Sequence, residues 1–207
     1  MKTRTLIIAA SILLMGYAAS AQTNLTFGAR AGINFQNLTG KDANGDKYHN
    51  KLTPGFNIGG NVEVPVATDF YLQPGLLFTT KGAKSNTSVN WKTTLNYFEI
   101  PVNFIYKPAL GDGKMLLGFG PYAAFGVGGK TKVGSTSTKV EYGSDPDQIK
   151  RFDAGANLLA GYEMTSRLSF QLNAQLGLVN IANRAPGDNK STMKNTGFGI
   201  SAGYRFN

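Results

Sequence analysis

Apolar and polar side chains alternate along this chain with a period of two, and beyond residue 21 the alternation recurs in eight separate runs. A period of two puts successive side chains on opposite faces of an extended backbone, so each run predicts a strand with one apolar and one polar face. The runs fall at about 24–35, 53–66, 70–81, 93–106, 115–128, 152–164, 168–179 and 195–206. In the first, Leu25, Phe27, Ala29, Ala31, Ile33 and Phe35 oppose Thr26, Gly28, Arg30, Gly32 and Asn34. In the last, Phe198, Ile200, Ala202, Tyr204 and Phe206 oppose Gly197, Gly199, Ser201, Gly203 and Arg205. Over the same stretch no 3.6-residue period is sustained, and nothing approaches the ~18 continuous apolar residues of a spanning helix.

The connections alternate too. Links at 67–69, 107–114 and 165–167 are short, whereas 36–52, 82–92, 129–151 and 180–194 are long and polar. An even number of strands with short turns at one end and long loops at the other predicts an all-β, antiparallel, up-and-down barrel of eight strands. Bacterial outer-membrane barrels have this organisation, with short periplasmic turns and long extracellular loops. Strands of about 12 residues, tilted by about 45°, are long enough to cross the hydrocarbon.

A soluble eight-stranded barrel has the same alternation, so the two faces must be weighed. The polar face holds Gly, Asn, Gln and Ser with few charges, a poor coat for a soluble protein but a good filling for a narrow lumen. The apolar face carries aromatics at both ends of its strands. Phe27, Phe70, Tyr106, Tyr162, Phe170, Tyr204 and Phe206 fall near the turn end, and Phe35, Phe56, Phe78, Phe98, Phe125, Phe152 and Phe198 near the loop end. Two such belts are expected at the interfaces of a membrane barrel.

The first 21 residues set the compartment. Lys2 and Arg4 precede the apolar run Leu6 to Met15, and Ala19-Ser20-Ala21 supplies a small-residue cleavage site, so residues 1–21 read as a secretory signal peptide and 22–207 as one exported barrel domain. Composition removes most enzyme classes. With no Cys and a single His among 207 residues, neither thiol chemistry nor a centre built on several histidines is available.

The runs Asn61-Val-Glu-Val-Pro-Val66, Phe70-Tyr-Leu-Gln-Pro-Gly-Leu-Leu-Phe78 and Tyr97-Phe-Glu-Ile-Pro-Val102, with Ala160-Gly-Tyr-Glu163 and Gly203-Tyr-Arg-Phe206, carry a family likeness. With them the chain resembles the PorT-like, porin-family outer-membrane β-barrel proteins of the Bacteroidetes group. The resemblance spans the mature chain. It implies residence in the cell outer membrane of a Gram-negative bacterium and insertion by the barrel-assembly machinery, for which Phe206 resembles the terminal aromatic signal. It also implies a possible part in protein secretion.

Other motifs lack their context. Ala124 to Thr131 approximates a phosphate loop but alternates as a strand with no helix after it. Asp42, Asn44 and Asp46 are spaced like calcium ligands, yet Thr53 stands where a bidentate Glu is needed, and an Asn-Gly turn is the simpler reading. His49, in the same loop, is the one general-base candidate for a lipid-modifying enzyme, the weakest of the functional classes. No catalytic residue, metal site or cofactor is expected.

Charges sharpen the picture. Arg30, Glu63, Glu99, Asp153, Glu163 and Arg205 fall on the polar face, with Lys81 at its loop-end margin. They predict a lumenal ion-pair network, with Arg30 and Glu99 level near its middle and Glu63, Glu163 and Arg205 toward the turn-end mouth. The formal charge of +9 becomes +7 without Lys2 and Arg4. Most of the remaining cations, Lys41, Lys47, Lys51, Lys84, Lys92, Lys130, Lys132, Lys139, Lys150, Arg151, Arg184, Lys190 and Lys194, cluster in the long loops. That distribution favours an outer rim facing lipopolysaccharide phosphates over a nucleic-acid partner. Three functions follow in order: a porin-like or structural barrel; a surface-binding, adhesion or secretion-accessory module using the loop aromatics Tyr48, Trp91 and Tyr142; and, last, an enzyme.

Overall fold

In the computed structural model the described residues are 25–85 and 90–206, so the expected signal peptide lies outside them. Ten strands form one antiparallel sheet: β1 Thr26–Lys41, β2 Thr53–Ala67, β3 Phe70–Lys84, β4 Trp91–Tyr106, β5 Ala109–Leu110, β6 Gly113–Val133, β7 Thr136–Lys139, β8 Phe152–Glu163, β9 Leu168–Gly177 and β10 Thr192–Arg205. Eight of them close a ring in the order β1, β2, β3, β4, β6, β8, β9, β10, with β10 pairing back to β1 from Gly28–Arg205 to Lys41–Thr192. The other two are small additions. β5 lengthens the β4–β6 turn, and β7 folds back on the projecting end of β6. Closure leaves no free strand edge in the ring, a condition for crossing hydrocarbon, where unpaired backbone groups find no water. Among the described residues no helix is long and apolar enough to cross a membrane.

Several strands are longer at the loop end than the alternation indicates, although β9 stops at Gly177 rather than residue 179. β1 runs to Lys41 rather than residue 35, β3 to Lys84 rather than 81, and β6 to Val133 rather than 128. Cross-strand backbone pairing sustains them where sequence polarity had suggested loop. One irregularity has a large effect. Tyr97 pairs with Gly126 and Asn96 with Gly128, so Val127 is an extra residue, a β-bulge. Before it, odd-numbered residues of β6 face outward; after it, Gly129 faces in, and Lys130 and Lys132 face out.

The outward face is apolar. Ile33, Ile58, Leu76, Ile100, Phe119, Leu158, Leu172 and Ile200 are all more than half exposed, which water would not tolerate as a continuous surface. Aromatic rings meet near both ends of this band. Toward the loops Phe35 stacks on Phe198 at 5.5 Å, and Phe78 bridges Phe56 at 5.8 Å and Phe98 at 5.7 Å. Toward the turns Phe70 stacks on Tyr106 at 4.7 Å, and Tyr204 meets Phe206 at 5.3 Å. The β2–β3 and β8–β9 turns are tight enough to hold Asp69 and Arg167 at φ of 61° and 68°, in the left-handed region that non-glycine residues rarely occupy.

Leu158, at mid-strand and 63% exposed, tests the lipid-facing assignment. Leu158→Arg should destabilise the barrel by about 2–4 kcal/mol, and Phe152→Arg at the loop-end belt by about 1 kcal/mol or less, in denaturant unfolding from bilayers.

Candidate functional site: the lumen and its covered mouth

The inward face collects the buried polar and charged side chains into layers. At the turn end, Lys107 Nζ lies 2.9 Å from Glu63 Oε2 and 2.9 Å from Glu163 Oε2. Arg205 pairs with Glu63 and donates to Asn61 Oδ1 at 2.9 Å, and its Nε stands 3.7 Å from Glu163 Oε2. Gln73 Nε2 donates to Glu63 Oε1 at 3.0 Å. Glu63, Glu163 and Arg205 thus meet where their heights on the polar face place them. Lys107, the cation between the two carboxylates, falls in the 107–114 link that the alternation marks as a turn.

Toward the loops lies a second cluster. Lys81, fully buried, sits 2.8 Å from Glu99 Oε2 and 3.1 Å from Asp153 Oδ2. Tyr122 Oη and Asn195 Nδ2 donate to Asp153 Oδ2 at 3.2 and 2.9 Å, and Gln175 Nε2 donates to Glu99 Oε1 at 2.9 Å. The Lys81 ammonium also lies 4.1 Å from the Tyr122 ring centroid, a cation–π contact. The expected pairing is corrected here: Glu99 is engaged by Lys81 and not by Arg30. Lys81 reaches it because the ring extends beyond residue 81, which turns a marginal position into an interior one. Arg30 forms no ion pair with a described residue, and its Nε is buried without a hydrogen-bond partner. Arg30 helps line a cavity of about 40 Å³ with Glu99, Asn34, Asn57 and Asn103, room for about two or three water molecules.

Apolar layers separate and cover these clusters. Ile105, Leu116 and Leu159 pack inside the barrel, so the lumen is not lined by polar groups throughout. At the loop end Leu38, Ala83, Leu95, Tyr97, Tyr122, Ala124 and Ile181 form a buried cluster, with Trp91, Val140, Tyr142, Ile149 and Met193 packed against it. The long connections therefore supply a lid of apolar side chains over the mouth. Asn183 Nδ2 ties the 140–151 segment to the 178–191 segment by donating to the carbonyls of Gly143, Asp145 and Gln148 at 2.8, 2.9 and 3.2 Å. Tyr142 Oη donates to Gly128 O at 3.2 Å, and its ring occupies the space where a side chain on Gly126 would stand.

Tyr48, Trp91 and Tyr142, expected as exposed loop aromatics, are all partly buried. Trp91 opens β4, and Trp91 and Tyr142 belong to the lid. Of the expected rim, Arg151 lies 5.8 Å from both the Phe125 and Tyr142 ring centroids, and Lys194 is partly buried. Lys190 Nζ donates to Asn44 O at 3.2 Å and Arg184 Nε to Ser191 O at 3.0 Å. Lys41, Lys47, Lys51, Lys84, Lys92, Lys130, Lys132, Lys139 and Lys150 are exposed. Asp42 Oδ1 accepts the N–H groups of Asn44, Gly45 and Asp46 at 2.9, 3.0 and 3.0 Å, closing a turn. Residues 124–131 lie within β6, and His49 is exposed.

A family model described as "Outer membrane protein beta-barrel domain" matches residues 20–183. No curated protein matches the chain in a sequence comparison. Among solved structures, Neisserial surface protein A is 10% identical, with a TM-score of 0.49, covering 87% of this chain and 97% of that one. Ail, the attachment invasion locus protein of Yersinia pestis, in complex with the heparin analogue sucrose octasulfate, is 12% identical over 88% of this chain and 99% of that one, with a TM-score of 0.45. A major outer membrane protein from Thermus thermophilus is 14% identical over 88% of this chain and 100% of that one, with a TM-score of 0.43. Likeness at this distance says nothing about what this chain binds.

Removing Lys81 leaves two buried carboxylates facing each other. Lys81→Met should cost about 3–5 kcal/mol in unfolding experiments, and Arg30→Met, which breaks no ion pair, distinctly less. The lid has its own signature. Burial of the ring pushes the Tyr142 hydroxyl up from 10.0 to about 12, so the folded lid keeps a proton that a released loop would lose. Its stabilising effect is complete below pH 10 and should fade as pH rises through about 12, read as tyrosinate absorbance lost on Tyr142→Phe.

Proposed function

Because the chain belongs to the outer membrane protein beta-barrel domain family, we propose that it serves the outer membrane as a closed structural barrel presenting a pre-formed outer surface, and not as an open pore. The observation that carries this reading is the sequence of obstacles along the lumen axis. A solute entering from the loop end meets the apolar lid, then the Lys81 cluster, then the Ile105–Leu116–Leu159 layer and the Lys107 cluster.

Each obstacle acts differently. An ion passing the lid would lose its hydration with no compensating partner, a cost of several kcal/mol even after relaxation. At the two clusters it would have to displace a buried resident ion pair. Eight strands leave an interior just wide enough for side chains, so the network cannot step aside without the wall moving. A lid stitched by Asn183 and by the Arg151 stack also holds the loops in one arrangement, which suits recognition better than transport. The narrower likeness to PorT-like barrels rests on sequence motifs, and a secretion accessory of that kind would act through this same covered face.

Full-length protein refolded into planar bilayers, with folding verified by heat-modifiable migration, should give no discrete conductance steps. Regular steps from folded wild-type protein would restore the porin-like reading.

A further inference from the structure

Four lysines stand side by side on the outward wall at the loop end. Lys51 bridges Lys84, Lys84 is the direct partner of Lys92 across β3 and β4, and Lys92 is the direct partner of Lys132 across β4 and β6. Directly opposed residues of antiparallel strands share a face, with Cβ atoms about 5 Å apart. The row therefore crosses four neighbouring segments within about 15 Å. Lys130, two residues before Lys132, opposes Lys139 of β7 and begins a second row. All six are exposed, and among the described residues none of their ammonium groups makes an ion pair or a hydrogen bond.

Like charges set directly opposite each other destabilise a sheet, and among the described residues no ion pair offsets them here. The sequence between β3 and β4, residues 85–90, holds Ser, Asn, Thr and Val and no acidic residue. The remaining loop cations are differently placed. Lys41, Arg184 and Lys190 line a groove between the first and last loops, with Asp42 and Asp188 close in sequence and with backbone carbonyls already engaging Arg184 and Lys190. The lysine row keeps its charge unspent.

Its height and direction select the partner. Lys92 shares the outward face of β4 with Phe98 and Ile100, so the row points sideways from the barrel and not over its mouth. It stands six residues beyond Phe98, about 14 Å above the loop-end aromatic belt for a strand tilted by about 45°. That level is the polar headgroup and inner sugar zone of the surrounding leaflet. We propose that this lysine ladder is a binding strip for phosphate groups on the anionic glycolipid headgroups of the outer leaflet that surrounds the barrel. The ladder holds several ammonium groups at one strand spacing from each other, and a phosphate lying between two of them would turn a repulsive pair into an attractive triplet. The proposal rests on reading the loop end as the cell-surface end. It does not depend on whether the lumen conducts, so a failed binding test leaves the closed-barrel reading standing, and observed conductance leaves the ladder standing.

The test uses the full chain in zwitterionic bilayer discs and a fluorescent, deacylated core oligosaccharide of lipopolysaccharide, in phosphorylated and enzymatically dephosphorylated forms. The triple variant Lys84→Gln, Lys92→Gln, Lys132→Gln should weaken binding of the phosphorylated probe roughly 100-fold, on the order of fivefold for each lysine. Lys41→Gln, Arg184→Gln, Lys190→Gln together, with the same loss of charge, should weaken it less than tenfold, and the dephosphorylated probe should not bind. Equal losses in the two triples, equal binding of both probes, or no binding by the wild type would overturn the proposal. Tighter ladder-dependent binding of a soluble sulfated polysaccharide would overturn the choice of partner. Lys92→Gln alone guards against misfolding of the triple. It should raise the unfolding midpoint in zwitterionic bilayers by relieving repulsion, and lower it in bilayers containing lipopolysaccharide; a change of the same sign in both would also overturn the proposal.

Discussion

Charge neutrality inside a tube too narrow for hydrated ions is the condition the rest of this molecule is built around. Four carboxylates, Glu63, Glu99, Asp153 and Glu163, share the interior with four cations, Arg30, Lys81, Lys107 and Arg205. The turn-end cluster balances by itself with two of each sign. The loop-end cluster has one cation for two carboxylates, and Arg30, facing the cavity that Glu99 also lines, supplies the missing positive charge at longer range. Arg30 therefore needs no direct partner to be accommodated. Its field, acting through a medium of low dielectric, reaches further than a hydrogen bond does. The wall obeys the same economy of polar groups: every strand of the ring pairs on both sides, and what is not paired faces lipid as hydrocarbon.

Much of this was legible in the chain because a strand writes its geometry with the shortest possible period. Eight alternating runs give eight ring strands, and the aromatic positions at their ends give the two belts. Where legibility failed, the cause is physical. Lys107 continues the inward parity of Glu99, Asn103 and Ile105, but Pro108 beside it signals a turn and masked the pattern. The apolar layer inside the lumen has a faint signature: Ile105, Leu116 and Leu159 each sit next to an outward apolar residue, so that alternation lapses for one step. Arg30 and Glu99 match in height along their strands, yet height says nothing about which of several inward residues a flexible lysine can also reach. The lid could not be read at all. Leu38, Tyr142 and Ile149 stand in mostly polar surroundings and Ile181 follows the end of an apolar run, and only tertiary structure shows that they converge.

The lid also changes what the loops are. Long polar connections suggest mobile tethers, each free to meet a partner by itself. Here the third and fourth connections share Asn183 and the Lys150–Ile181 backbone bond, the first and fourth share the Lys190–Asn44 contact, and aromatic rings fill the centre. A surface assembled in this way pays its ordering entropy during folding, so a later encounter with a ligand is spared that cost. The same rigidity couples the surface to the interior, since Tyr122 belongs both to the lid cluster and to the hydrogen-bonding of Asp153.

Val127, the single residue without a partner in β6, fixes the parity of everything beyond it. Were β6 a regular ladder through Val127, with that residue paired to Asn96, Lys130 and Lys132 would point into the barrel, where the charges already sum to zero, and Gly129 and Thr131 would point out. Changes in the length of this projecting hairpin are thus constrained to even steps. Beyond the bulge, a lineage could lengthen or shorten the strand by two residues and keep its outer chemistry, whereas gaining or losing one there would exchange inside for outside at a stroke.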